Sequence, residues 1–216
     1  MSRITNWKKH DPFENVLFEF PIRRDNESIS LDRLSHKYFG QCWTLTKESD
    51  LMWQMYRYRY AENGGVVKLE TTIGDLLNSI SELNFVHIGK VKYLSKPKLI
   101  SHSKYLRDNF ENLLQFDGGT GRVIAEMLLI KRFPYHQEKE VRLLVNRIDL
   151  QKNDCIPSFL NHKVKIEKLI SKVVFDPTFS DKDFSKEKSK LKIINSNLKI
   201  IRSNLYKLDT IDFFIV

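Results

Sequence analysis

The chain has 216 residues, 41% of them hydrophobic and 12% aromatic. This is ample material for a core and excludes a disordered tail; the length suits a single domain, 1–216, with 151–216 as a basic C-terminal extension of the same fold. The formal charge of +9 fits either plain solubility or an anionic partner such as nucleic acid. Cys42 and Cys155 suggest neither a disulfide framework nor a zinc spacing. The first fifteen residues lack the apolar core of a secretory signal, and no apolar run reaches about 18 residues, so the expectation is a cytoplasmic protein with no membrane span.

Pro12 keeps His10-Asp11 out of helix, and HDPFENVLFEF begins as a turn and then extends. Residues 28–39 read as a short helix and QCWTLT (41–46) as a strand. KESDLMWQMYRYRYAE (47–62) is a helix capped by Ser49 or Asp50 and ended by Asn63-Gly64-Gly65. GVVKLE is a strand, Thr72 caps a helix running to about 83, and NFVHIGKVKYL (84–94) alternates as one strand. Residues 97–133 read as two helices separated at Asp117-Gly118-Gly119, the second stopped by Pro134. EVRLLVNRIDL is a strand, and KVKIEKLISKVVFDP runs from short helix to strand. SDKDFSKEKSKLKIINSN is a solvated helix and KLDTIDFFIV a closing strand. The expected class is α+β, with a mixed, mostly antiparallel sheet flanked by short helices.

One short stretch carries the most chemistry. In PYHQEKEVRLLV (135–146), Glu138 and Glu140 stand two apart, and on one strand they would share a face roughly 6.5–7 Å apart. Neighbouring carboxylates repel, which raises one pKa and makes a proton acceptor; Arg142, next in the row, opposes that shift. The alternative is a solvated edge of weak ion pairs. Thr44 and Thr46 form a similar pair of hydroxyls, which are equally ordinary strand formers. Trp53, Tyr56, Tyr58 and Tyr60, interleaved with Arg57 and Arg59, are equipped to stack on bases and neutralise phosphates, or simply to fill a core. Asp117–Gly121 lacks the Gly-Lys-Ser/Thr of a phosphate loop and reads as a helix-to-helix turn. The histidines show no credible zinc spacing, so no metal site is expected.

HDPFE (10–14), QCWTLTKESDLMWQMY (41–56), NGGVVKLE (63–70), VKYL (91–94) and EKEVR (138–142) follow one another in an order that resembles a bacterial family known only as a domain of unknown function. Its pattern runs NDPF(D/E), CFS, MWxxY, a glycine-containing strand, xVxY and ExExR. LISKVVFDP (169–177) and RSNLY (202–206) resemble its C-terminal part. Members occur among abortive-infection and phage-defence genes. The resemblance therefore implies a toxin-like antiviral defence effector with a neutralising antitoxin partner. QEKEVRLL also resembles the glutamate strand of ADP-ribosyltransferases, with WTLT in the place of their Ser-Thr-Ser strand. This implies a split-sheet fold and NAD as cofactor. Arg23 or Arg24 is the candidate for the arginine that grips the dinucleotide, unless that residue belongs to a strand ahead of DPFE.

That chemistry assigns roles. Glu140 would hydrogen-bond the ribose 2′-OH and stabilise the oxocarbenium as nicotinamide leaves. Glu138 would orient or deprotonate the acceptor. Thr44 and Thr46 would support the glutamate or the ribose, Trp53 or Tyr56 would wall the nicotinamide, and Arg142 would hold the glutamates or meet a phosphate. Net charge favours a nucleic-acid acceptor. Two alternatives stand beside this one. The first is a metal-dependent nuclease built from Asp11, Glu14, Glu138 and Glu140. The second is a non-enzymatic module binding nucleic acid or a phage component through the Tyr/Arg helix and the lysine-rich C-terminal region.

Overall fold

The structure, a computed structural model, describes residues 1–9, 14, 16–19, 22–24, 27–29, 35–60, 65–117, 121–150 and 156–207. The fold is α+β, and its strand pairs are mostly antiparallel. The chain divides into two units. One comprises Met1–Lys47 with Glu82–His162, the other Glu48–Ser81 with Lys163–Val216. The second unit thus joins residues 48–81 to those from 163 onward.

In the first unit, β1 (Ser2–Arg3), β4 (Tyr38–Thr44), β6 (Val86–Lys90) and β9 (Glu140–Asn146) form one antiparallel sheet in the order β1-β4-β9-β6. Two small pairs accompany it. β2 (Ile22–Arg24) and β3 (Glu27–Ile29) are antiparallel, whereas β7 (Lys92–Leu94) and β8 (Ile130–Arg132) are parallel. β9 is central and buried along its whole length, as its apolar run Val-x-Leu-Leu-Val demands. Its register puts Thr44, Cys42, Gly40 and Tyr38 opposite Glu140, Arg142, Leu144 and Asn146. These residues therefore lie on one face of the sheet. That face meets the main core, in which Leu144 packs with Ile4, Phe18, Leu106, Phe110, Met127 and Leu128. Gly40 is required there, because a Cβ would come 2.6 Å from the Trp7 ring and 2.8 Å from Ile4. The opposite face packs Phe39 and Val145 against Leu160.

The helices of this unit are α3 (Lys96–Asp117) and α4 (Arg122–Leu128). Between them the Asp117 carboxylate accepts from the backbone N–H groups of Gly121 (2.7 Å) and Arg122 (2.8 Å). Gly121 has φ +78°, and a Cβ there would lie 2.3 Å from the Tyr38 hydroxyl. Asp117 ends one helix and Gly121 precedes the next, with the acid spent on capping; residues 118–120, on which the expected turn falls, lie outside the described residues.

In the second unit, β5 (Val67–Glu70), β10 (Lys172–Phe175) and β11 (Lys199–Arg202) form a sheet in the order β11-β10-β5, with β10–β11 parallel. Its helices are α1 (Asp50–Tyr60), α2 (Ile73–Asn78), α5 (Ile166–Leu169) and α6 (Asp181–Ile194). Thr72 caps α2 as expected, accepting from Asp75 N, and Ser180 caps α6 in the same way. Among the described residues no helix is long and apolar enough to cross a membrane.

Several expected elements differ. Residues 84–94 form two strands in different sheets, broken at Val91, whose N–H donates to Glu140 O at 2.9 Å. The helix expected to reach Phe133 ends at Leu128, and Ile130–Arg132 is strand. The α2 helix stops at Asn78 rather than near 83. The ends of the helix expected at 28–39 belong to β3 and β4, and Val16–Glu19 is a 3₁₀ turn rather than extended. The closing strand expected at 207–216 lies almost wholly outside the described residues.

Candidate functional site

The glutamates do not share a strand. Phe133–Glu138 is a 3₁₀ helix with Pro134 in its first turn, where the missing N–H costs nothing. Lys139 then adopts φ +43°, and only Glu140 enters β9. A left-handed lysine is strained by about 1 kcal/mol or more. The end of β4 holds it in place. Three successive carbonyls accept from that strand end: Gln137 O from Thr46 Oγ1 (3.3 Å), Glu138 O from Thr44 Oγ1 (2.6 Å) and Lys139 O from Leu45 N (3.1 Å). Thr44 Oγ1 also accepts from Thr46 N at 3.0 Å. β4 ends at Thr44, so Thr46 lies beyond the strand. The paired hydroxyls therefore clamp the backbone of the glutamate turn rather than the carboxylates themselves.

The acids nonetheless converge. Glu140 and Arg142, two apart on one face of β9, are bonded at 2.9 Å. The same Arg142 nitrogen donates to Glu14 at 2.7 Å, and the other terminal nitrogen to Leu128 O at 2.6 Å. The guanidinium is fully buried, with the Trp7 ring centroid 4.8 Å away. From β8, Lys131 reaches the same cluster. Its Nζ lies 2.7 Å from Glu138 and 3.6 Å from both Glu14 and Glu140. In a 3₁₀ helix residues three apart eclipse, so Tyr135 and Glu138 share an edge; Lys131 meets both, lying 4.7 Å from the Tyr135 centroid. The Glu140 backbone N–H donates to the Tyr93 hydroxyl at 2.8 Å.

Two of the acids differ in character. Burial pushes Glu140 up, but Arg142 and Lys131 outweigh it and hold the carboxyl below its ordinary range. Burial and the neighbouring carboxylates push Glu138 up, and Lys131 only partly offsets them. Glu138 is also the accessible one, its side chain 26% exposed against 8% for Glu140. Cys42, opposite Arg142, is exposed as a residue, yet its thiol lies against Glu140. Burial first, and then that carboxylate, raise its pKa well above normal, so it is a poor nucleophile. Among these described side chains three carboxylates face two cations, leaving one surplus negative charge.

Trp53 and Tyr56 lie on α1 in the second unit. Trp53 is buried there, its indole N–H donating to Glu48 at 2.8 Å. Glu48 also accepts from Ser203, and Arg57 pairs with Asp176 at 3.1 Å and donates to Tyr206 at 2.9 Å. The MWxxY, FDP and RSNLY motifs therefore meet as a brace within that unit. Tyr56 is 39% and Tyr58 94% exposed. Arg23 lies in β2 opposite Ser28, and Arg24 opposite Glu27. Asp11 lies outside the described residues. Among those described, no three His, Cys, Asp or Glu side chains are grouped to hold a metal ion. Glu14, Glu138 and Glu140 close on Lys131 and Arg142 instead. Sequence reading missed Lys131. Only the alternation of Ile130–Arg132, hidden behind a helical pattern, could have pointed to it.

No protein family, curated protein or solved structure matches the chain.

Proposed function

We propose that the chain is an enzyme that transfers ADP-ribose from NAD+ to a macromolecular acceptor, with Glu138 as the carboxylate that meets the substrate. The observation that carries this reading is the surplus negative charge. It belongs to a mostly buried cluster and reaches solvent through the one partly exposed acid, which is fixed on a strained turn. Such a site favours a transition state that develops positive charge, and low local dielectric strengthens the effect. When nicotinamide leaves, the ribose C1′–N bond breaks and positive charge grows on the ribose. Glu138, the partly exposed acid, would face that charge, and its raised pKa suits it to take the acceptor's proton as the acceptor oxygen or nitrogen bonds C1′. Glu140, tied to Arg142, acts as a positioning residue, a reassignment of the role that the resemblance implied for it. The pairing of the hydroxyl-bearing β4 with the glutamate-bearing β9 supports the split-sheet resemblance. The +9 charge favours a nucleic-acid acceptor, and a toxin of this kind calls for a neutralising partner.

The test is incubation with labelled NAD+ and, separately, RNA, DNA and lysate protein. Label should reach one acceptor class, and Glu138→Gln should abolish transfer by at least about a hundredfold. No transfer to any acceptor, together with no shift of melting temperature by NAD+, would refute the reading.

A further inference from the structure

We infer that Lys131 is the positioning residue that sets the Glu138 carboxylate at the mouth of the cluster, an inference that rests on the role given to Glu138 above. β8 runs directly into the 3₁₀ turn, so Lys131 stands at the entrance of the turn and Glu138 at its exit. Their 2.7 Å ion pair closes the turn across its base. The lysine side chain is only 10% exposed, and its ammonium has three protons to direct. Three carboxylates surround it, at 2.7, 3.6 and 3.6 Å, and the Tyr135 face covers another side. A simple neutraliser of the deep acids would be redundant, because Arg142 already bonds Glu14 and Glu140 directly. The short contact goes instead to Glu138, the acid that lacks an Arg142 bond. Burial disfavours the ammonium, but Glu140, Glu138 and Glu14 outweigh it and raise the Lys131 pKa, so the lysine remains a cation and is no nucleophile.

The groups around Glu138 are Lys131, Glu14 and Glu140, with Tyr93 and Tyr135 on the flanking elements and Arg142 and Cys42 behind Glu140. Removing Lys131 leaves Glu138 with burial and two like charges. Lys131→Met should therefore raise the pH at which Glu138 titrates by about one unit or more, read by carboxyl ¹³C NMR on the full chain. The acid limb of the pH–rate profile should move with it, kcat should fall more than KM changes, and Lys131→Arg should restore part of both. The double variant Glu14→Gln/Lys131→Met keeps the charge balance and guards against loss of folding; it should shift in the same direction but by less, because one of the carboxylates that raise Glu138 is gone. An unchanged Glu138 titration in a folded variant of either kind overturns the inference. If the titration moves while wild-type protein transfers no ADP-ribose, the role of Lys131 stands and the transferase reading falls.

Discussion

Arg142→Met gives the sharpest test of the charge accounting. The wild-type guanidinium is fully buried and satisfies two carboxylates and the Leu128 carbonyl. Methionine fills similar volume but leaves Glu14 and Glu140 facing each other with Lys131 3.6 Å from each. Breaking a buried pair from one side costs about 3–5 kcal/mol, because the remaining charge loses its compensation. For a domain of this size that is a fall in Tm of about 6–20 °C, measured by circular dichroism. The pH dependence has a definite sign. In the wild type Glu140 titrates below its ordinary range. Its contribution is present above the unfolded carboxyl pKa, about 4.3, and is lost as pH falls through the lower folded value. In the variant, burial without Arg142 raises the folded pKa, so acid relieves the penalty. The stability gap should be widest near pH 7 and should narrow towards pH 4. A gap below about 0.5 kcal/mol at pH 7, the level of an ordinary surface substitution, would refute the buried cluster.

Two further outcomes follow from close contacts. Gly40→Ala places a methyl 2.6 Å from the Trp7 ring, which must move off Arg142; it should cost about 1–3 kcal/mol and shift tryptophan fluorescence. Thr44→Val removes the donor to Glu138 O and the acceptor for Thr46 N. It should cost about 1–3 kcal/mol by urea denaturation and lower kcat by loosening the turn, with little change in KM.

Much of this was legible in the sequence, for identifiable reasons. β9, α1, α3 and α6 announced themselves through long periodic patterns bounded by caps and breakers, and Thr72 was a correct cap. The misread pieces were those whose period was overridden by tertiary contact. Val91 breaks an alternating run because its N–H is taken by Glu140 O. Ile130–Arg132 leaves a helical pattern because β7 offers a parallel edge. At the site, the proximity of Glu138, Glu140 and Arg142 was legible, but the way they meet was not. Glu140 and Arg142 do share a face. Glu138 joins them through a left-handed lysine and a cation from another strand, neither of which two-residue spacing encodes.

The second unit draws its sheet from chain segments that are far apart. β5 pairs with β10 across roughly a hundred residues, so the closure entropy of a long loop must be overcome before that contact forms. During ribosomal synthesis β5 emerges long before its partner, and the intervening stretch belongs to the other unit. A nascent chain truncated near His162 therefore carries strand residues 67–70 with an unmatched backbone edge, a ready template for aggregation. Shortened versions of the chain should retain residues 163–202, even when only the glutamate cluster is of interest.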